Sequence, residues 1–129
     1  MPSVAGRVNE RLEPVVAVRL VGGPAGRTEV ECVVDTGFLG AALVLPQEVI
    51  DELGLVVTGY EEVATVGGAT VTADVTIGQV EWLGEVRSVS IIIIGESYLI
   101  GSHLLDGTRL TVDYAGRTVN IEQQPAPAG

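Results

Sequence analysis

The chain has 129 residues, 47% of them hydrophobic, which suits one domain with a substantial core and argues against two. Seventeen acidic residues against seven arginines and no lysine give a net charge of −10, so neither nucleic acid nor an anionic membrane is expected as a partner. One cysteine excludes an internal disulfide, and one cysteine with one histidine leaves no soft-ligand cluster for structural zinc; no metal or cofactor is expected.

In chain order, residues 1–14 read as an N-terminal extension. Met1 to Glu13 carries both charge signs and no apolar h-region, so no secretory signal is expected and a cytoplasmic setting is the default. Val15 to Val21 and Arg27 to Val34 read as strands joined by the glycine-rich turn Gly22 to Gly26, with Thr28, Val30, Cys32 and Val34 on one face. Cys32 is therefore assigned to the core as a small hydrophobe. After Asp35-Thr36-Gly37, Ala42 to Leu45 reads as a strand. Pro46 to Leu53 reads as a short helix closed by Gly54, turning Val49, Ile50 and Leu53 inward.

Val56 to Val66 and Ala69 to Ile77 flank Gly67-Gly68, a signal for a tight two-residue hairpin of type I′ or II′. Ile77 to Trp82 and Glu85 to Ile94 flank Leu83-Gly84 in the same way, and the run Ile91 to Ile94 predicts a central strand buried on both faces. That apolar run is far shorter than the roughly 20 residues needed to span a bilayer, so no transmembrane segment is expected. Leu99-Ile100-Gly101 precedes one helical turn at Ser102 to Leu105, and Leu110 to Tyr114 and Thr118 to Glu122 read as closing strands. Residues 123–129 read as a disordered tail. Short β-rich segments punctuated by glycine place the domain, residues 15–122, in the all-β class with one or two short helices.

Asp35-Thr36-Gly37 carries the chemistry. Five Asp, fifteen Ser plus Thr and 17 Gly give an expectation of roughly 0.08 such tripeptides by chance, so the tripeptide by itself decides little. A turn role for Asp35 is the plain alternative, since Asp-x-Gly is common in β-turns. His103, Arg109, Asp113 and Asp106-Gly107 have structural readings, because no serine or cysteine nucleophile stands in a recognisable motif beside them.

The order of elements from Val15 to Glu122 resembles the retropepsin-like (retroviral-type) aspartic proteases, and within them the prokaryotic single-domain branch. A hairpin runs into Val33-Val34-Asp35-Thr36-Gly37, followed by Leu43-Val44-Leu45-Pro46 and then by a glycine-tipped hairpin. About sixty residues beyond the tripeptide, Leu99-Ile100-Gly101 with Ser102-His103-Leu104-Leu105 is similar to the family's second hallmark.

The resemblance implies an acid-protease half-barrel that pairs as a twofold homodimer and hydrolyses peptides or proteins. On that resemblance Asp35 from each subunit would be the catalytic carboxylate. Thr36 and Gly37 support it, the threonine bonding across the axis and the glycine admitting substrate backbone. Leu99, Ile100 and Gly101 pack beneath, and Gly67 and Gly68 form a flap tip. Phe38, Val44, Val66 and Ile94 join the two flap glycines as the expected substrate contacts.

Two departures from the viral pattern stand out. Phe38 occupies a place usually held by Ser or Ala, and Ser102 a place usually held by an Arg that pairs with an acid near the tripeptide. Phe38 motivates an alternative: a catalytically silent module of the same fold that binds an extended peptide by strand addition.

Overall fold

Alternation along β2 (Pro14–Val21) and β3 (Arg27–Val34) gathers Val16, Val18, Leu20, Cys32 and Val34 on one buried face. The two strands form the expected antiparallel hairpin, from Val15 opposite Val33 to Val21 opposite Arg27. The structure is a computed structural model and describes residues 1–125. Cys32 is fully buried, and burial pushes its thiol pKa up to about 12, so it stays neutral and packs as a hydrophobe.

β4 (Leu43–Leu45) leads into helix α1 (Gln47–Leu53). Pro46 occupies the N-cap and Gly54 closes the helix in the left-handed region at φ 70°. Val49 and Ile50 are buried, and Leu53 packs against the same core. β5 (Gly59–Ala64) and β6 (Thr70–Trp82) form the hairpin that carries Gly67 and Gly68. β7 (Glu85–Ile93) follows a turn in which Leu83 and Gly84 both have positive φ, 52° and 83°. The chain closes with β8 (Leu99–Ile100), α2 (Ser102–Leu105), β9 (Thr108–Asp113) and β10 (Thr118–Gln123).

The ten strands, including β1 (Ser3–Val8), form one sheet in the order β5-β6-β7-β4-β8-β3-β2-β1-β10-β9. An additional pairing, Leu20 opposite Val80 and Arg19 opposite Glu81, joins β2 to β6 and closes six strands into a ring. Within it, Leu20, Leu43, Leu45, Val80, Ile91 and Ile100 meet in the main core. Leu104 from α2 joins the same core.

The opposite faces of β4 and β7 supply Val44 and Ile92 to a second, smaller cluster with Ala41 and Ala73. This is the outcome expected of a central isoleucine-rich strand: β7 lies between β6 and β4, and its alternate residues feed two cores.

Four local expectations change. Ser3–Val8, set apart in the sequence reading as part of an extension, pairs with β10 along its length and with β2 at Arg7 and Val8. The two strands expected to meet at Ile77 are one continuous β6, because β7 pairs with it without interruption from Asp74 to Trp82. The Gly67-Gly68 hairpin has a three-residue loop: the Thr65 N–H donates to the Ala69 carbonyl at 2.8 Å and the Gly68 N–H to the Thr65 carbonyl at 3.1 Å. Of the expected tail, Gln123 belongs to β10 and its N–H donates to the Pro2 carbonyl at 3.0 Å, while residues 126–129 lie outside the described residues. Among the described residues no helix is long and apolar enough to cross a membrane.

Candidate active site

Asp35 is the first residue beyond β3, and its position is set by the strand that β3 pairs with on its far side. β8 runs parallel to β3, with Val33 opposite Leu99 and Val34 opposite Ile100, and antiparallel to β4, with Leu43 opposite Ile100. The short β8 is therefore held on both edges. Its last carbonyl, that of Ile100, accepts the Asp35 N–H at 2.9 Å and carries the ladder one step into the loop.

The loop is a turn braced at each end. The Phe38 N–H donates to the Asp35 carbonyl at 3.1 Å, and the Gly37 N–H donates to Asp35 Oδ1 at 3.0 Å. The Asp35 side chain thus accepts a backbone bond inside its own turn, as aspartates in such turns commonly do. The Phe38 carbonyl accepts the Ser102 N–H at 2.8 Å, and the Gly101 N–H donates to the Ala42 carbonyl at 2.9 Å, so the start of α2 is bonded to both sides of the loop.

Gly101 admits no side chain. A Cβ there would stand 2.4 Å from the Ala41 carbonyl oxygen and 3.1 Å from both the Phe38 carbonyl oxygen and its ring. The Asp35 loop and the second hallmark are therefore in direct contact, and the small residue is what allows it.

Two concavities border the loop. Gly37, Phe38, Leu39 and Gly40 form one side of a pocket of about 300 Å³ whose other side comes from β5 and Ile92. Thr36, which is exposed, faces a larger open concavity of about 740 Å³ shared with Ser102, His103 and residues of β9. The smaller pocket lies between the Asp35 loop and β5. Among the described residues no group of three or more His, Cys, Asp or Glu is placed to hold a metal ion.

No family model matches the sequence, and no curated protein aligns with it. The folded chain does match a solved structure, a retropepsin-like aspartic protease from Rickettsia conorii, with a TM-score of 0.62 at 15% identity, covering 94% of this chain and 91% of that one. The chain has a retropepsin-like fold.

Within this fold the expected site residues fall into three groups. Asp35, Thr36, Gly37, Phe38, Leu99, Ile100 and Gly101 are brought together by the β3–β8 pairing and the bonds to α2. Phe38, Ile94 and Leu99 are half-buried against the second cluster, to which Val44 belongs. Val44 is 0% exposed, so it backs the pocket from behind and does not line it, because β4 is covered on both faces. Val66, Gly67 and Gly68 stand at the hairpin tip: Val66 is fully exposed, and nothing lies within 4 Å of a Cβ built at either glycine.

Sequence reasoning missed Gly40, Glu61 and Ile92, all of which line the 300 Å³ pocket. The available signal was alternation along β5, where Glu61 shares a face with Gly59 and Val63.

Proposed function

We propose that the protein is an aspartic endopeptidase active as a homodimer, each subunit contributing one Asp35. The observation that carries this reading is the anchoring of Asp35. Its backbone is bonded to the Ile100 carbonyl and its turn is bonded to the start of α2, in a chain whose fold is that of a retropepsin-like protease. A carboxylate held this way is pre-positioned, which is what a catalytic group needs.

The chemistry requires two carboxylates. A single one cannot act as base and acid in the same step, whereas two within hydrogen-bonding reach share a proton because both cannot ionise comfortably. The ionised Asp35 takes a proton from a water held between the pair, and that water attacks the peptide carbonyl. The protonated Asp35 polarises the carbonyl oxygen, and proton transfer to the leaving nitrogen completes the cleavage. One tripeptide per chain makes a second copy the source of the other carboxylate. The exposed Thr36 and the open concavity beside it give such a copy a place to approach. The β5–β6 hairpin then acts as a cover that encloses the substrate and excludes water.

Incubation with a mixed peptide library from acid to neutral pH, with Asp35→Asn as control, tests this reading. Cleavage by the wild type, reduced at least about a hundredfold in the variant, supports it. Unchanged peptide profiles for both proteins under all conditions overturn it. Sedimentation velocity across a concentration series tests the dimer, whose dissociation is expected to abolish turnover.

A second reading rests on Phe38. Its side chain packs against the second cluster and carries no hydroxyl to donate to the carboxylate, and the bond to Asp35 Oδ1 comes from a backbone N–H. A peptide-binding module without turnover is the form this reading takes. Binding by the wild type without product formation favours it, and pepstatin-sensitive cleavage excludes it.

A further inference from the structure

On the hairpin side the pocket beside the Asp35 loop is lined by Glu61, Glu62, Val63 and Ala64. Along β5 the face that carries Gly59 and Val63 also carries Glu61, and the opposing β6 residues are Val75, Ala73 and Val71. Val63, Ala73 and Val75 pack into the second cluster. Glu61, paired with the buried Ala73, is the charged residue of that face. Its carboxylate reaches toward Gly40: Glu61 Oε2 lies 3.9 Å, and Phe38 Cε1 3.8 Å, from the point where a Gly40 Cβ would stand. The absent side chain of Gly40 leaves that point open, with Ile92 Cδ1 3.5 Å away on the inner side.

A carboxylate and an aromatic ring flanking one open spot, above an aliphatic floor, match the chemistry of an Arg or Lys side chain. The apolar stem packs on Ile92, the charged head pairs with the carboxylate, and the ring adds cation–π attraction. Among the described residues Glu61 has no such partner. The ion pairs among the described residues are Arg7–Glu31, Arg19–Glu29, Arg19–Glu81 and Arg27–Glu81, and no arginine lines the pocket.

We propose that the pocket of about 300 Å³ bounded by Phe38, Gly40, Glu61 and Ile92 is a subsite that takes an arginine or lysine side chain of the peptide substrate, with Glu61 as its specificity determinant. The proposal rests on the peptidase reading. A competing account gives Glu61 a structural task, since a charge on an edge strand such as β5 discourages pairing with other sheets. In that account substrate preference is independent of the residue.

The test uses two otherwise identical peptide libraries, one with Arg and one with its neutral analogue citrulline at a single fixed position, scanned along the peptide. The wild type is expected to cleave the Arg library about twofold to fivefold faster at one position, the size of an exposed charge pair. Glu61→Gln brings that ratio close to one. Glu85→Gln removes the same charge at the β6–β7 turn and keeps the ratio, which separates local pairing from attraction by the net charge of −10. Gly40→Ala narrows the pocket and lowers cleavage of the Arg library more than that of a library carrying Ala at the same position.

A second arm measures equilibrium binding of the same libraries to Asp35→Asn and to Asp35→Asn/Glu61→Gln. If the wild type cleaves both libraries equally, or Glu61→Gln leaves an Arg preference intact, the subsite is overturned while the peptidase reading stands. If no library is cleaved, the peptidase reading fails and binding alone decides. A preference for Arg that is lost with Glu61→Gln upholds the subsite, and equal binding overturns it.

Discussion

The Asp35 loop and the tip of the β5–β6 hairpin are built on opposite principles. The loop is bonded to β8 and to α2, and it sits against a glycine that leaves no spare room. The tip is held by its own turn bonds between Thr65 and Ala69, has Val66 fully exposed, and is carried on β5, an edge strand. A group that must be positioned is placed where the ladders and the core determine it. A segment that opens and closes, as the proposed reading has the hairpin do, suits a place where few contacts oppose movement.

This contrast predicts a graded series of effects. The largest is expected at Gly101. Gly101→Val drives a side chain into the Ala41 carbonyl, and because the obstacle is backbone the site cannot relax cheaply. Loss of more than about 3 kcal/mol, or failure to fold, is expected in urea unfolding.

Next comes the core that supports the loop. Ile91→Ala, at a fully buried position of β7, is expected to cost about 2–5 kcal/mol in the same measurement. Val66→Ala at the tip is expected to stay within about 0.5 kcal/mol. Equal effects at the two positions would erase the distinction between scaffold and cover.

A smaller effect is expected within the hairpin turn. Gly68 has φ 88°, a region that costs an alanine about 1 kcal/mol. Gly68→Ala should therefore lower stability slightly and peptide turnover more. A loss of stability without any change in turnover would argue that the hairpin is not a cover.

The smallest effect belongs to the surface pairs. Hydrogen bonds from Arg7 and Arg27 hold the Glu31 and Glu81 carboxyls below their ordinary value. A carboxyl whose pKa is lower in the folded chain favours folding above its unfolded pKa, near 4.5, and loses that contribution as pH falls through the folded value. Both pairs are exposed, so Arg7→Ala should shift the unfolding midpoint at neutral pH less than any core substitution, and the shift should shrink further in high salt and below pH about 4.

Much of the scaffold is legible from the chain because it depends on local rules. Alternation in β2 and β3 identifies Val16, Val18, Leu20 and Cys32 as core, and Pro46 with Gly54 bounds α1. The two hallmarks, Asp35-Thr36-Gly37 and Leu99-Ile100-Gly101, are visible as motifs, and the structure joins them through a parallel pairing of two residues. The β5–β6 hairpin is less legible. Gly67-Gly68 announces a turn but not its length, since the same dipeptide fits loops of two or three residues. Glu61 resembles any surface glutamate until the register of β5 on β6 sets it opposite the buried Ala73.

What the sequence determined by itself was periodicity and punctuation: which residues seek burial, where strands turn, and which tripeptide carries a carboxylate between apolar runs. These follow from the chemistry of each residue and its near neighbours. The tertiary structure alone decided partnership. It joined Ser3–Val8 to β10, closed β2 onto β6, covered Val44 from both sides and turned Glu61 toward Phe38 and Gly40. The physical reason is that a strand's backbone donors and acceptors pair equally well with many segments. Only the simultaneous burial of all the apolar faces selects one arrangement.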